Sequence, residues 1–246
     1  MAKKIIILII AFIIIIGGML IYSANEKNFS KKDMQIEKVI PRTDDKIPEE
    51  WRDNGIFTKY YNMAYDALNT LTIEEKIGQI FLVRYNEENA IENIHNYNFG
   101  GYIFFEKDFK DKTKEQVIAM ISNVQNVSKI PLITAVDEEG GSVVRISSNS
   151  NLTPGKFKAP QLLYKEGGLD LIKQDIIEKS KVLYELGLNL NLAPVVDIAT
   201  STNDYMYKRS LGENKEITSE YAENVIKTSK ETKVSYCLKH FPRIWK

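Results

Sequence analysis

Apolar residues follow two alternating rhythms along this chain. Short unbroken runs predict strands at 80–83, 101–105, 131–136, 188–196 and 234–238. Between them, apolar positions recur at the spacing that puts them on one face of a helix. Met63, Ala64, Ala67 and Leu68 form one such stripe, and Ala90, Ile91 and Ile94 a second. Val117, Ile118, Ile121 and Val124 form a third. Leu171, Ile172, Ile176, Val182, Leu183 and Leu186 predict a longer helix closed by Gly187. Ile217, Tyr221, Val225 and Ile226 predict the last one. Thr72-Ile-Glu-Glu75 reads as a capping box, in which Thr72 caps a helix and Glu75 reaches back.

Strands that are apolar throughout, alternating with helices, are the mark of parallel strands covered by helices. The chain is therefore expected to be α/β. A doubly wound sheet and a (β/α)8 barrel both fit this alternation. The first strand-to-helix turn has no G-x-G-x-x-G, so a dinucleotide-binding fold loses support.

The amino terminus breaks the pattern. Lys3 and Lys4 precede an uncharged run over residues 5–22. As a helix it would span ~27 Å, close to the hydrocarbon thickness of a bilayer. Ser23-Ala24 offers only a weak cleavage site, with Tyr22 three residues before it, and the run is longer than most signal cores. The expectation is one uncleaved transmembrane helix through residues 5–22, with the basic side cytoplasmic and the rest extracytoplasmic. Secretion after signal cleavage is the alternative. The expected organisation is an anchor or signal segment over 1–24, a polar linker over 25–50 with Pro41 and Pro48, and a folded domain over 51–246.

Charge and cysteine content narrow the function. Lys plus Arg and Asp plus Glu balance at 33 each, so no basic excess argues for a nucleic acid partner. Cys237 is the only cysteine, which excludes an internal disulfide and a zinc cluster. With only His95 and His240 present, a histidine-based metal site is not expected, and no cofactor is implied.

Ionisable groups gather at the carboxyl ends of the predicted strands. Asp137-Glu138-Glu139-Gly140-Gly141 ends the third, Asp197 follows the fourth, and Lys239-His240 ends the fifth. In a barrel those ends form the rim where active sites are built. Asp137 is either an acceptor for ligand hydroxyls or a cap on the next turn. Gly140 and Gly141 let the backbone turn tightly. Glu138 and Glu139 read as salt-bridged or solvated. Arg145 could reach the same rim or lie on the surface. Lys239 after an apolar strand needs a partner, because burying an unpaired charge is costly. Alone, His240 is more often a hydrogen-bonded structural residue. Asp197 could equally hold a loop through backbone amides, and Cys237 reads as core.

Taken in order, several blocks resemble glycoside hydrolase family 3. They are Glu74-Glu75-Lys76-Ile77-Gly78-Gln79; Gly100-Gly101-Tyr102-Ile103; Asp137 to Gly141 with Val143-Val144-Arg145; residues 190–197; Arg209-Ser210-Leu211-Gly212; and Lys239-His240-Phe241-Pro242. The last block is more like the β-N-acetylglucosaminidase branch than the β-glucosidase branch. The resemblance implies a (β/α)8 barrel, here incomplete with about five of eight βα units. It further implies that Asp137, Arg145, Arg209, Lys239 and His240 line a pocket for the terminal sugar, N-acetylglucosamine at the end of a glycan.

The resemblance also implies a retaining mechanism, with a carboxylate nucleophile and an acid/base group. In this branch the acid/base histidine lies on a loop that starts Gly-His-Gly just after Lys-His-Phe-Pro, and the nucleophile lies on a later strand. Here Pro242 is followed by Arg243-Ile244-Trp245-Lys246. No catalytic residue is therefore assigned, and the chain is expected to be a fragment, from a frameshift or premature stop, that is inactive alone. The alternatives are a non-catalytic sugar-binding surface protein and one half of a split enzyme completed by a C-terminal fragment.

Overall fold

The computed structural model describes residues 57–240. The chain divides into two compact units, Met1–Asn62 and Met63–Lys246. Of the first, the described part is a 3-10 turn at Thr58–Tyr60 and the opening residues of helix α1 (Tyr61–Asn69).

The second unit winds strand by strand. Helix α2 (Ile73–Gln79) starts at the expected capping box: Thr72 Oγ1 accepts from the Glu75 amide at 3.2 Å, and a Glu75 carboxylate oxygen accepts from the Thr72 amide at 2.8 Å. Strand β1 (Leu82–Arg84), helix α3 (Ala90–Tyr97) and strand β2 (Gly101–Phe104) follow, then the short helix α4 (Glu106–Phe109) and helix α5 (Lys114–Val127). Next come β3 (Ile133–Val136), helix α6 (Pro160–Glu185), β4 (Leu190–Asn191), α7 (Lys215–Ser229) and β5 (Ser235–Tyr236). A second capping box, Thr113 with Gln116, opens α5. Helix α6 is broken at Gly167 and Gly168, where the backbone leaves helical geometry.

All five strands are parallel and neighbour one another in sequence order, β1-β2-β3-β4-β5. One face of the sheet carries the core. Tyr102, Phe104 and Val136 pack there with Ile94 of α3, Val117, Ile121 and Val124 of α5, and Leu183 of α6. The opposite face carries Leu82 and Ile133, which flank Gly101 and are 38% and 45% exposed. Sequential order with helices on one face is the winding of a (β/α)8 barrel. A doubly wound sheet would reverse its order at a switch point and cover both faces.

Three expectations are corrected. No helix among the described residues is long and apolar enough to cross a membrane. Residues 5–22, on which the transmembrane helix and the extracytoplasmic or secreted location were based, lie outside the described residues. The strand expected over 188–196 pairs as a ladder only at Leu190–Asn191. Pro194 has no N–H to continue it, and Val195 rejoins through a single bridge to Lys239. Cys237, expected in the core, is exposed. Side chains alternate along a strand, so Cys237 shares the face of Ser235, which pairs with Leu190 on the side without helices.

Candidate active site

The carboxyl ends of β3 and β5 bring a lysine between two carboxylates. Lys239 Nζ lies 2.7 Å from Asp137 Oδ1 and 2.5 Å from Glu139 Oε1. Arg209 joins from the loop between β4 and α7. Its Nη2 and Nε donate to Glu139 Oε1 and Oε2 at 2.7 and 2.9 Å, a bidentate pair. Glu139 is the hub, with a side chain only 2% exposed. Burial pushes its carboxyl pKa up, but hydrogen bonds from Arg209 and Lys239, and their charges, hold it below the ordinary carboxylate range. The same bonds to Glu139 raise Arg209 against the opposing effect of burial.

Backbone geometry sets this hub in place. Gly140 has φ +96°, and a Cβ there would lie 2.1 Å from the Lys158 carbonyl oxygen. No side chain fits the turn that carries Asp137 and Glu139 into the rim. Glu138, between them, points the other way and is fully buried. Its carboxylate accepts from the Arg145 and Ile146 amides at 2.7 Å each and from the Ser147 hydroxyl at 2.5 Å. Asn191 of β4 completes the brace by accepting from the Glu138 amide and donating to its carbonyl, both at 3.0 Å. Glu138 is thus neither salt-bridged nor solvated, because three local donors satisfy its charge.

The five residues expected at the sugar pocket fall into three settings. Asp137, Lys239 and Arg209 share the ion-pair network. His240, next to Lys239, is held separately: its Nδ1 lies 2.7 Å from Asp197 Oδ2, and the same oxygen accepts the His240 amide at 3.1 Å. Arg145 does not join the network. Its guanidinium lies 5.6 Å from the centre of the Phe105 ring, beside that of Arg84 at 4.7 Å. Among the described residues neither arginine has a carboxylate within salt-bridge range.

Two groups at the rim were not singled out for it in the sequence. Glu139, read as salt-bridged or solvated, is salt-bridged. Asp197, read as a loop brace through backbone amides, does accept the His240 amide and holds the ring as well. The spacing of Asp137 and Glu139 was the available signal, since residues two apart in an extended segment share a side. Nothing in the sequence pointed from Asp197 to His240.

Comparison with known proteins gives the family. Residues 72–244 match the glycosyl hydrolase family 3 N-terminal domain. The chain belongs to glycosyl hydrolase family 3. It is 30% identical over 159 residues to β-hexosaminidase A of Pseudoalteromonas piscicida, covering 61% of this chain and 26% of that protein. It is 28% identical over 158 residues to a β-hexosaminidase of Photobacterium profundum, covering 63% of this chain and 46% of that protein. Among solved structures, a family 3 β-N-acetylglucosaminidase from Paenibacillus superposes with a TM-score of 0.62 at 25% identity, covering 70% of this chain and 34% of that one. The chain thus spans less than half the length of these family 3 proteins, and what it shares with them is the N-terminal part.

Proposed function

We propose that this chain supplies the terminal-sugar subsite of a β-N-acetylhexosaminidase-type glycosidase, which removes N-acetylglucosamine from glycan ends with retention of configuration. The observation that carries this reading is the Lys239 ammonium held between Asp137 and Glu139. Asp137 keeps acceptor capacity beyond Lys239, and the ammonium has three donors of which two are used. Adjacent hydroxyls of one pyranose need such a neighbouring acceptor and donor. Arg209 and His240 widen the rim on the Lys239 side, and Arg145 offers a guanidinium beside Phe105. The names of its relatives, β-hexosaminidase and β-N-acetylglucosaminidase, support the choice of sugar.

Retaining hydrolysis needs a carboxylate that attacks the anomeric carbon and a second group that moves the proton. The rim carboxylates do not suit the attack. Asp137 is paired with Lys239, and Glu139 with both Lys239 and Arg209, and a carboxylate bonded to a cation is a weak nucleophile. Hydrolysis requires groups in addition to those assigned here, and binding is the part of the task these residues perform.

Calorimetry of the purified 246-residue chain with N-acetylglucosamine tests the reading. Saturable binding that is lost in Asp137→Ala is expected, together with no turnover of an aryl N-acetyl-β-glucosaminide. A folded chain that binds no sugar would overturn the subsite. Turnover abolished by Asp137→Ala would overturn the division between binding and catalysis.

A further inference from the structure

We propose that Asp197 is a positioning residue for His240: it fixes the neutral imidazole as the Nδ1–H tautomer and leaves Nε2 at the rim as a hydrogen-bond acceptor. The ligand-facing half of this inference rests on the sugar subsite proposed above. The half concerning the ring does not.

The geometry is two-pronged. One carboxylate oxygen of Asp197 takes both the backbone amide of His240, at 3.1 Å, and the ring nitrogen Nδ1, at 2.7 Å. Holding the amide and the ring of one residue through one oxygen fixes where the imidazole points. The Asp197 side chain is 6% exposed, so water competes little for it. An ionised carboxylate only accepts. The proton of a neutral ring must then lie on Nδ1, and the lone pair on Nε2.

The other side of the ring is open. The His240 side chain is 28% exposed, and Nε2 is neither buried nor bonded by any described residue. The two chain segments are also stitched together at their ends. The Val196 amide donates to the Lys239 carbonyl at 2.7 Å, and Val195 bridges Lys239. Asp197 therefore cannot drift from His240 without breaking that seam.

The consequence is a choice of polarity. Lys239 offers only donors, and Asp137 only acceptors. With Nε2 as an acceptor, the rim offers a ligand the donor of Lys239 and acceptors from Asp137 and His240. The opposite tautomer would add a second donor to the rim instead of an acceptor. The acceptor at Nε2 selects a ligand that presents a donor there, a hydroxyl or an acetamido N–H.

The test uses the ring itself. The protein has two histidines, so His95→Gln leaves a single imidazole to follow by nitrogen NMR. With the ring neutral, Nδ1 is expected to carry the proton and Nε2 to be bare. Asp197→Ala should move the proton to Nε2 and weaken N-acetylglucosamine binding up to roughly tenfold, the effect of losing one neutral hydrogen bond. Asp197→Asn, whose carbonyl oxygen still accepts, should restore the tautomer and most of the affinity, which a purely structural loss would not allow. A native ring protonated at Nε2, or an Asp197→Ala ring that keeps its proton on Nδ1, would overturn the proposal. The native spectrum decides even if a variant does not fold. It also separates this proposal from the sugar reading, since a correct tautomer in a chain that binds no sugar would condemn only the latter.

Discussion

Lys239 reaches back across 102 positions of sequence to Asp137, Nζ to Oδ1 at 2.7 Å. That contact joins the ends of two strands that are not neighbours in the sheet, since β4 lies between β3 and β5. The reach of a long lysine side chain past the intervening strand makes it, since next-nearest strands lie only about 10 Å apart. Its geometry gives the following expectations.

Replacing Glu139 should harm stability more than replacing either cation. Glu139→Ala leaves Lys239 and Arg209 facing each other across a space from which water is largely excluded. Breaking a buried ion pair on one side costs about 3–5 kcal/mol. Urea unfolding of Glu139→Ala, Arg209→Ala and the double variant should show the double losing less than the sum.

Acid should remove the contribution of Glu139. Its carboxyl is held below its ordinary value of 4.5, so the folded state binds its proton less readily than the unfolded chain does. That stability is complete above 4.5 and is lost as pH falls through the lower folded value. The gap in unfolding free energy between the native chain and Glu139→Gln should be constant from pH 7 to about 5 and narrow below that.

Gly140→Ala should be poorly tolerated and Gly155→Ala nearly silent. The first demands φ +96° and meets a backbone oxygen, while a Cβ at Gly155 meets nothing within 4 Å. A strained backbone position alone costs about 1–3 kcal/mol, whereas an unencumbered surface change stays within about 0.5 kcal/mol. Thermal unfolding compares them directly, and sugar affinity should fall only in the Gly140 variant.

Thr72→Ala should cost about 1 kcal/mol, the usual loss of a helix cap. The Thr72 hydroxyl accepts from the Glu75 amide at the start of α2. Thr72→Ser should recover most of the loss. Thr113→Ala, at the matching box of α5, provides an independent second case.

Much of the fold was legible because its signals are local. The stripe of Val117, Ile121 and Val124 became the buried face of α5, and the box at Thr72 opened α2 as expected. The reading failed where a distant group decides. The strand expected over 188–196 was cut short at Pro194, whose presence in the sequence already argued against a long ladder. Cys237 looked like core because apolar neighbours surround it, yet alternation turns it to the face that no helix covers. Arg145 has its own setting, over the Phe105 ring at the end of β2, which no local pattern announced.

What the sequence determined unaided is the succession of strands and helices, their caps, and the placing of charged residues at strand ends. Each depends on groups within a few positions of one another, so the information is contained in a short window. Tertiary structure alone decided that Glu139 joins Lys239 to Arg209, that Asp197 holds His240, and that Glu138 faces inward. Those pairings depend on strand order and on which face of the sheet is covered. A charge set down in a sequence has no partner until the chain has closed around it.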